Sequence, residues 1–148
     1  MQKLVEVDPW KIKQNELGLD QRPYESIFSI GNGSFGQRAN FEEKYSGKTL
    51  LGNYFGGIYY PDPTKVGWWK NGYPEYFAKV LNSCNWIRLD VEVDGFTLDL
   101  SKLKVQSFCR ELDMKTGILS RKFKVELPNK KQIKVSAQRF CSMHNDEI

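Results

Sequence analysis

The chain has 148 residues, of which 40% are hydrophobic, 14% aromatic and 27% charged. That is enough to bury one core without metal or disulfide staples, and too apolar for a disordered chain. The formal charge of +4 is mild, and the basic residues are interleaved with acids except at Lys130, Lys131 and Lys134. These read as a solvated turn and strand face, so nucleic acid is not an expected partner.

No run of about 18 apolar residues occurs, and MQKLVEVDPW lacks the apolar stretch of a secretory signal, so neither membrane insertion nor secretion is expected. The three cysteines, Cys84, Cys109 and Cys141, are far apart and show no C-x-x-C or histidine spacing. They read as reduced packing residues of a cytoplasmic protein.

In chain order, PWKIKQNEL (9–17) is the first candidate element, a short helical turn. ESIFSI (25–30), FGQRANF (35–41) and TLLGNYFGGIYY (49–60) carry no 3.6-residue stripe and read as strands joined by irregular loops. Between them GNGSFG (31–36) fits G-x-G-x-x-G, a phosphate-loop pattern. A kinase loop would need a lysine on the next strand and two partner aspartates, and a dinucleotide loop would open an amphipathic helix. QRANFEEKYSGK follows instead, so the glycines read as a tight turn with close backbone packing between two strands.

GWWKNGYPEYF (67–77) is the most unusual surface segment. Adjacent Trp68 and Trp69 on extended backbone point to opposite faces, so one of them covers a domain or subunit interface or stacks on a sugar ring. Trp68, Trp69, Tyr73 and Tyr76 are accordingly the candidates for carbohydrate or interface contact. PEYFAKVL (74–81) reads as a second short helical turn.

The second half is clearer. WIRLDVEV (86–93) alternates strictly, and Asp94-Gly95 followed by FTLDL predicts a hairpin with a type I′ turn. VQSFCRELDMKTGILSRKFKVEL (105–127) predicts another, with Gly117 supplying the positive φ of its loop. Pro128-Asn129-Lys130 then turns the chain into QIKVSAQRFCSM, and residues 86–143 read as a meander. Many short strands and no long helix point to an all-β antiparallel sandwich or barrel.

Glu42-Glu43, Glu111 and Asp113 could be proposed as an acid pair, but the sequence gives no support for that geometry, and Glu111 and Asp113 share a strand face near a turn, as solvated charges do. His144 has no nucleophile or metal partner in a recognisable setting, so no catalytic residue, metal site or cofactor is assigned.

Several segments together resemble the N-terminal domain of glycoside hydrolase family 65, the inverting maltose, trehalose and kojibiose phosphorylases. They are ESIFSIGNGSFGQRANFEE (25–43), LGNYFGGIYY (51–60), NGYPEYFAKVLNSCNW (71–86), LDLSKLKVQSFCRELDMKTGILSRKF (98–123) and QRFCSMHNDEI (138–148). VGWWKNGYPEYFAKVLN is most similar to the maltose phosphorylase type. The resemblance implies a galactose-mutarotase-like antiparallel β-sandwich, incomplete at its C-terminal end, so that residues 1–148 are an N-terminal domain fragment. It places catalysis in a following (α/α)6 barrel absent from this chain. There a glutamic acid protonates the glycosidic oxygen while inorganic phosphate attacks the anomeric carbon. The partners it implies are that downstream barrel, a second subunit in a homo-oligomer and, for the full-length enzyme, a disaccharide and phosphate. Two alternatives remain open: a family 65 α-glucoside hydrolase domain, and an autonomous carbohydrate-binding module using the 68–77 aromatics.

Overall fold

The structure, a computed structural model, describes residues 5–7, 9–65, 72 and 74–144. Its spine is an antiparallel meander of β10 (Lys104–Asp113), β11 (Ile118–Glu126) and β12 (Gln132–Arg139). The N-terminal hairpin of β1 (Val5–Val7) and β2 (Lys11–Gln14) joins the β10 edge, giving a five-stranded sheet in the order β1-β2-β10-β11-β12. Every pairing is antiparallel.

Period-two alternation explains the sheet's two faces. Phe108, Arg110 and Leu112 on β10, and Leu119, Arg121, Phe123 and Val125 on β11, are buried on the inner face. Their partners come from a second layer of loops, short strands and one helix. Phe41, Leu98 and Leu100 pack on Phe108, Phe123 and Val125, while Phe28 and Ala39 pack on Leu112 and Leu119. That layer contains α1 (Arg22–Ile27) and a three-stranded sheet of β3 (Ile30–Gly31), β4 (Phe35–Gln37) and β5 (Asn53–Phe55). The result is an all-β antiparallel sandwich, as expected.

The predicted turns are present. Asp94 and Gly95 both have positive φ, 53° and 77°, and join β8 (Glu92–Val93) to β9 (Phe96–Thr97). Both central residues in the left-handed region is the requirement of a type I′ turn. Gly117, at φ 67°, closes β10 onto β11, and nothing lies within 4 Å of the position its Cβ would take. Gly117→Ala therefore meets torsional strain alone, and a loss of about 1–2 kcal/mol in urea unfolding is expected; an unchanged midpoint would show that the loop adapts. Lys130, at φ 68°, turns the chain into β12.

Three expectations are corrected. Residues 9–17 are not helical: Lys11–Gln14 is a strand, because alternation places Ile12 and Gln14 inward and both lysines outward on Glu111. Lys11 Nζ and Lys13 Nζ lie 3.0 and 2.8 Å from its two carboxylate oxygens. These contacts, the Lys13 hydrogen bond first, hold the Glu111 carboxyl below its ordinary value. Residues 74–81 are also extended, forming β7 (Tyr76–Val80) against β6 (Tyr59–Pro63). Finally, only the last two residues of WIRLDVEV pair as a strand. Trp86 leaves the alternation to sit against Phe55 and Phe35, with ring centroids 5.0 and 6.2 Å away. Leu98 and Leu100 beyond the hairpin enter the core through a turn built on Asp99. Burial opposes ionisation of Asp99, but hydrogen bonds from the side chains and backbone N–H groups of Ser46 and Ser101 outweigh it and lower its pKa.

The helix α1 falls, in its second half (residues 25–27), within the segment ESIFSI (25–30), which reads as a strand from the sequence. Pro23 in its first turn pre-sets the helical φ, and six residues are too few to show a stripe. The three cysteines are free thiols. Lys131 pairs with Asp94 at 2.6 Å, and Lys130 is a solvated turn residue. Among the described residues, no helix is long and apolar enough to cross a membrane.

Candidate interaction surface

GNGSFG forms the β3–β4 hairpin. Its apex is held by Asn32, whose side-chain Oδ1 accepts from the N–H groups of Ser34 and Phe35 at 3.0 and 2.9 Å. Two N–H groups of the kind a phosphate loop would present are thus already satisfied within the turn. Gly33 supplies a φ of 92°, and a Cβ on Gly31 would lie 2.9 Å from the Phe35 carbonyl oxygen. The glycines serve tight turning and close strand approach, as the sequence reading has it. The Asn32 amide also donates to the Ser142 carbonyl at 2.8 Å, tying the hairpin to the far end of the chain.

Beside this hairpin β6 and β7 form an isolated two-stranded ribbon. Tyr59 faces Val80, Pro61 faces Ala78 and Pro63 faces Tyr76. These six share one face, because successive residues point to opposite sides and partners across a pair point to the same side. The face is uncharged, and every residue on it is exposed. The other face carries Tyr60, Asp62, Phe77 and Lys79, with Lys79 Nζ 2.5 Å from Asp62. At the foot of the ribbon the apolar face runs into a groove floored by Phe35, Gly36, Phe55 and Gly56.

Of the candidate contact residues, Tyr76 lies at the start of β7 and is 49% exposed. Trp68, Trp69 and Tyr73 lie outside the described residues. The structure adds Tyr59, from the segment 49–60 read as strands, and Val80, from the segment 74–81 read as a helical turn; the Tyr-Tyr-Pro-Asp-Pro run was the available signal, since two prolines confine it to a sheet edge.

A second constellation is buried and charged. Arg110 and Arg121 face each other across β10 and β11, with Arg139 on β12 diagonal to Arg121. Arg121 forks onto Glu43 with both terminal nitrogens at 2.5 Å, and also bonds Glu42. Arg139 Nε lies 2.7 Å from the other Glu42 oxygen, and its terminal nitrogens donate to the Gln37 side chain and the Asn40 carbonyl. Phe41 and Phe123 flank the Arg121 guanidinium at 4.6 and 5.1 Å. Glu42 and Glu43 therefore neutralise arginines between the two layers.

Arg110 is different. Among the described residues only Gln21 accepts from it, at 3.2 Å, and the rings of Phe28, Phe41 and Phe108 surround it. Burial first, and then the Arg121 and Arg139 charges, push its pKa down to about 9, so it stays charged at neutral pH. Glu111, with Asp113 beside it, faces the lysines of β2 on the outer surface, and His144 is exposed.

The chain matches the family described as Glycosyl hydrolase family 65, N-terminal domain, over residues 13–148. It is 45% identical to maltose phosphorylase of Bacillus subtilis (strain 168) over 148 residues, covering 99% of this chain and 19% of that protein. It is 33% identical to kojibiose phosphorylase of Thermoanaerobacter brockii, covering 94% of this chain and 16% of that protein. The α,α-trehalose phosphorylase of the same organism is 32% identical, with 95% and 19% covered. A solved structure provisionally named a kojibiose phosphorylase, from the human microbiome, superposes with a TM-score of 0.80 at 35% identity, over 95% of this chain and 19% of that one. The chain thus spans about a fifth of the length of these relatives. A match over nearly the whole chain, to one family and with one fold, settles membership: the chain belongs to glycoside hydrolase family 65, as its N-terminal domain.

Proposed function

We propose that this chain is the non-catalytic N-terminal domain of an inverting α-glucoside phosphorylase. In that reading it supports the catalytic barrel and the assembly of a homo-oligomer in the cytoplasm. The observation that carries it is the end-to-end match to about one fifth of phosphorylases named for three different disaccharides. What the three share is phosphorolysis, and the remaining four fifths of such a polypeptide supply its machinery.

The full-length protein would cleave an α-linked disaccharide with inorganic phosphate. A phosphate oxygen forms the new bond to the anomeric carbon as the glycosidic C–O bond breaks. A carboxylic acid of the barrel gives its proton to the departing glucose, and inversion leaves β-glucose 1-phosphate. Phosphate takes the place that water has in an inverting hydrolase. Identity to the maltose enzyme, at 45%, exceeds that to the kojibiose and trehalose enzymes, which favours maltose as the substrate.

The test is maltose turnover by the full-length polypeptide, with and without phosphate. Stoichiometric β-glucose 1-phosphate and glucose, formed only with phosphate, is the expected result. Glucose released equally well without phosphate would make it a family 65 hydrolase instead. Turnover by the 148-residue chain alone would show that the chemistry has been placed in the wrong domain.

A further inference from the structure

We infer that the uncharged face of the β6–β7 ribbon is a docking arm, and that it seats on the catalytic portion of the same polypeptide. This rests on one part of the functional reading above, that the chain is a domain of a longer polypeptide.

An isolated two-stranded ribbon is marginally stable in water and holds when one face is packed. Here Tyr59, Pro61, Pro63, Tyr76, Ala78 and Val80 form a continuous exposed apolar face. The apolar groove at its foot extends that face, with Tyr59, Ala78 and Val80 common to both. Pro61 and Pro63 have no N–H, so the outer edge of β6 is poorly suited to adding a strand. The two charges within the paired strands, Asp62 and Lys79, neutralise each other on the opposite side. The surface that covers the arm is therefore itself uncharged and apolar.

Area decides between a tethered partner and a second copy. Five residue pairs make a ribbon about 17 Å long and about 10 Å wide, a footprint of roughly 170 Å². Free subunits that associate stably bury about 800 Å² each. Side chains standing proud of the ribbon present more accessible area than this footprint, but the arm remains small for an interface between free subunits. A covalently tethered partner acts at millimolar effective concentration, where a small apolar contact suffices. The relatives of this chain carry about four fifths of their length beyond it, which is where such a partner lies.

The test compares thiol reactivity at two adjacent positions. Ala78→Cys and Lys79→Cys place single thiols on opposite faces of β7, and exposed Cys84 is the internal reference. In the 148-residue chain both new thiols should react with a maleimide at rates comparable to Cys84, read peptide by peptide by mass spectrometry. In the full-length polypeptide carrying this domain, the thiol at 78 should react at least about tenfold more slowly while that at 79 keeps its rate. Equal rates at 78 in the two chains overturn the proposal. So does protection in the short chain that grows with its concentration, which would make a second copy the occupant. Protection produced there by maltose would make the face a sugar platform, and a reading frame that ends at Ile148 would remove the occupant altogether. Absent phosphorolysis with intact protection at 78 would sink the functional reading and leave the arm standing.

Discussion

Arg121→Ala is expected to destabilise the domain by about 3–5 kcal/mol, the cost typical of breaking a buried ion pair from one side. The guanidinium is the shared counter-charge of Glu42 and Glu43, and it lies between Phe41 and Phe123 where water does not reach. Removing it leaves Glu43 with no cation, because Arg139 reaches only Glu42. Arg121→Lys should recover little of the loss, since an ammonium group cannot present two parallel donors to one carboxylate. The contrasting variant is Arg110→Met. That arginine has one hydrogen bond to Gln21, and its Nη1 has no acceptor. Its desolvation is offset chiefly by three phenyl rings, so a flexible apolar replacement should change stability by less than about 1 kcal/mol. Urea unfolding of the two variants checks both. Equal losses would show that burial alone, and not the carboxylate pairing, sets the cost.

Glu25→Ala should lose about 2–4 kcal/mol by the same measurement, for a different reason. Glu25 is buried on α1, and its carboxylate is the acceptor for the Leu50 N–H at 2.8 Å and for the Thr49 hydroxyl. Arg38 stands 3.9 Å away. Alanine leaves the Leu50 N–H and the Thr49 hydroxyl without their acceptor and detaches residues 49–50 from the helix. Glu25→Gln keeps an acceptor oxygen and should lose about half as much. A glutamine variant as unstable as the alanine one would mean that the negative charge, rather than the hydrogen bonds, holds this junction.

Such differences show which parts of the molecule were legible in its sequence. The turns at Asp94-Gly95, Asp113–Gly117 and Pro128–Lys130 were legible because a turn is decided by the residues that make it. The pairing of β10, β11 and β12 as consecutive hairpins followed from those turns, but the register shift between Val105 and Ser107 did not. Strands β2 and β7 were missed because each is only four or five residues long, too short for a period to show. Their extended form is decided by partners elsewhere, Glu111 for one and Asp62 for the other. Trp86 shows the opposite failure: its segment alternates as a strand should, yet the indole is worth more in the Phe35 and Phe55 cluster than on a ladder.

The interaction surface was half visible. Tyr76 stood out through its aromatic neighbours, but nothing in the sequence pairs residue 63 with residue 76 or places Tyr59 on the same face. Glu25, Glu42 and Glu43 were visible only within motifs shared with the family. Their partners Thr49, Leu50, Arg121 and Arg139 come from contacts that no local pattern encodes.

The sheet's connectivity also sets the order in which the chain can fold on the ribosome. β10, β11 and β12 are neighbours in sequence, so they can zip together within one short stretch of chain. β2, however, is completed by β10, and Lys11 must wait for Glu111, 100 residues later. At synthesis rates of about 5–20 residues per second that is a delay of about 5–20 s, during which the first hairpin has no sheet to join. Non-local closure of this kind slows folding. Strand β2 is thus made well before it can be seated, and Ile12, alternating with the lysines that hold β2, lacks its sheet for that interval.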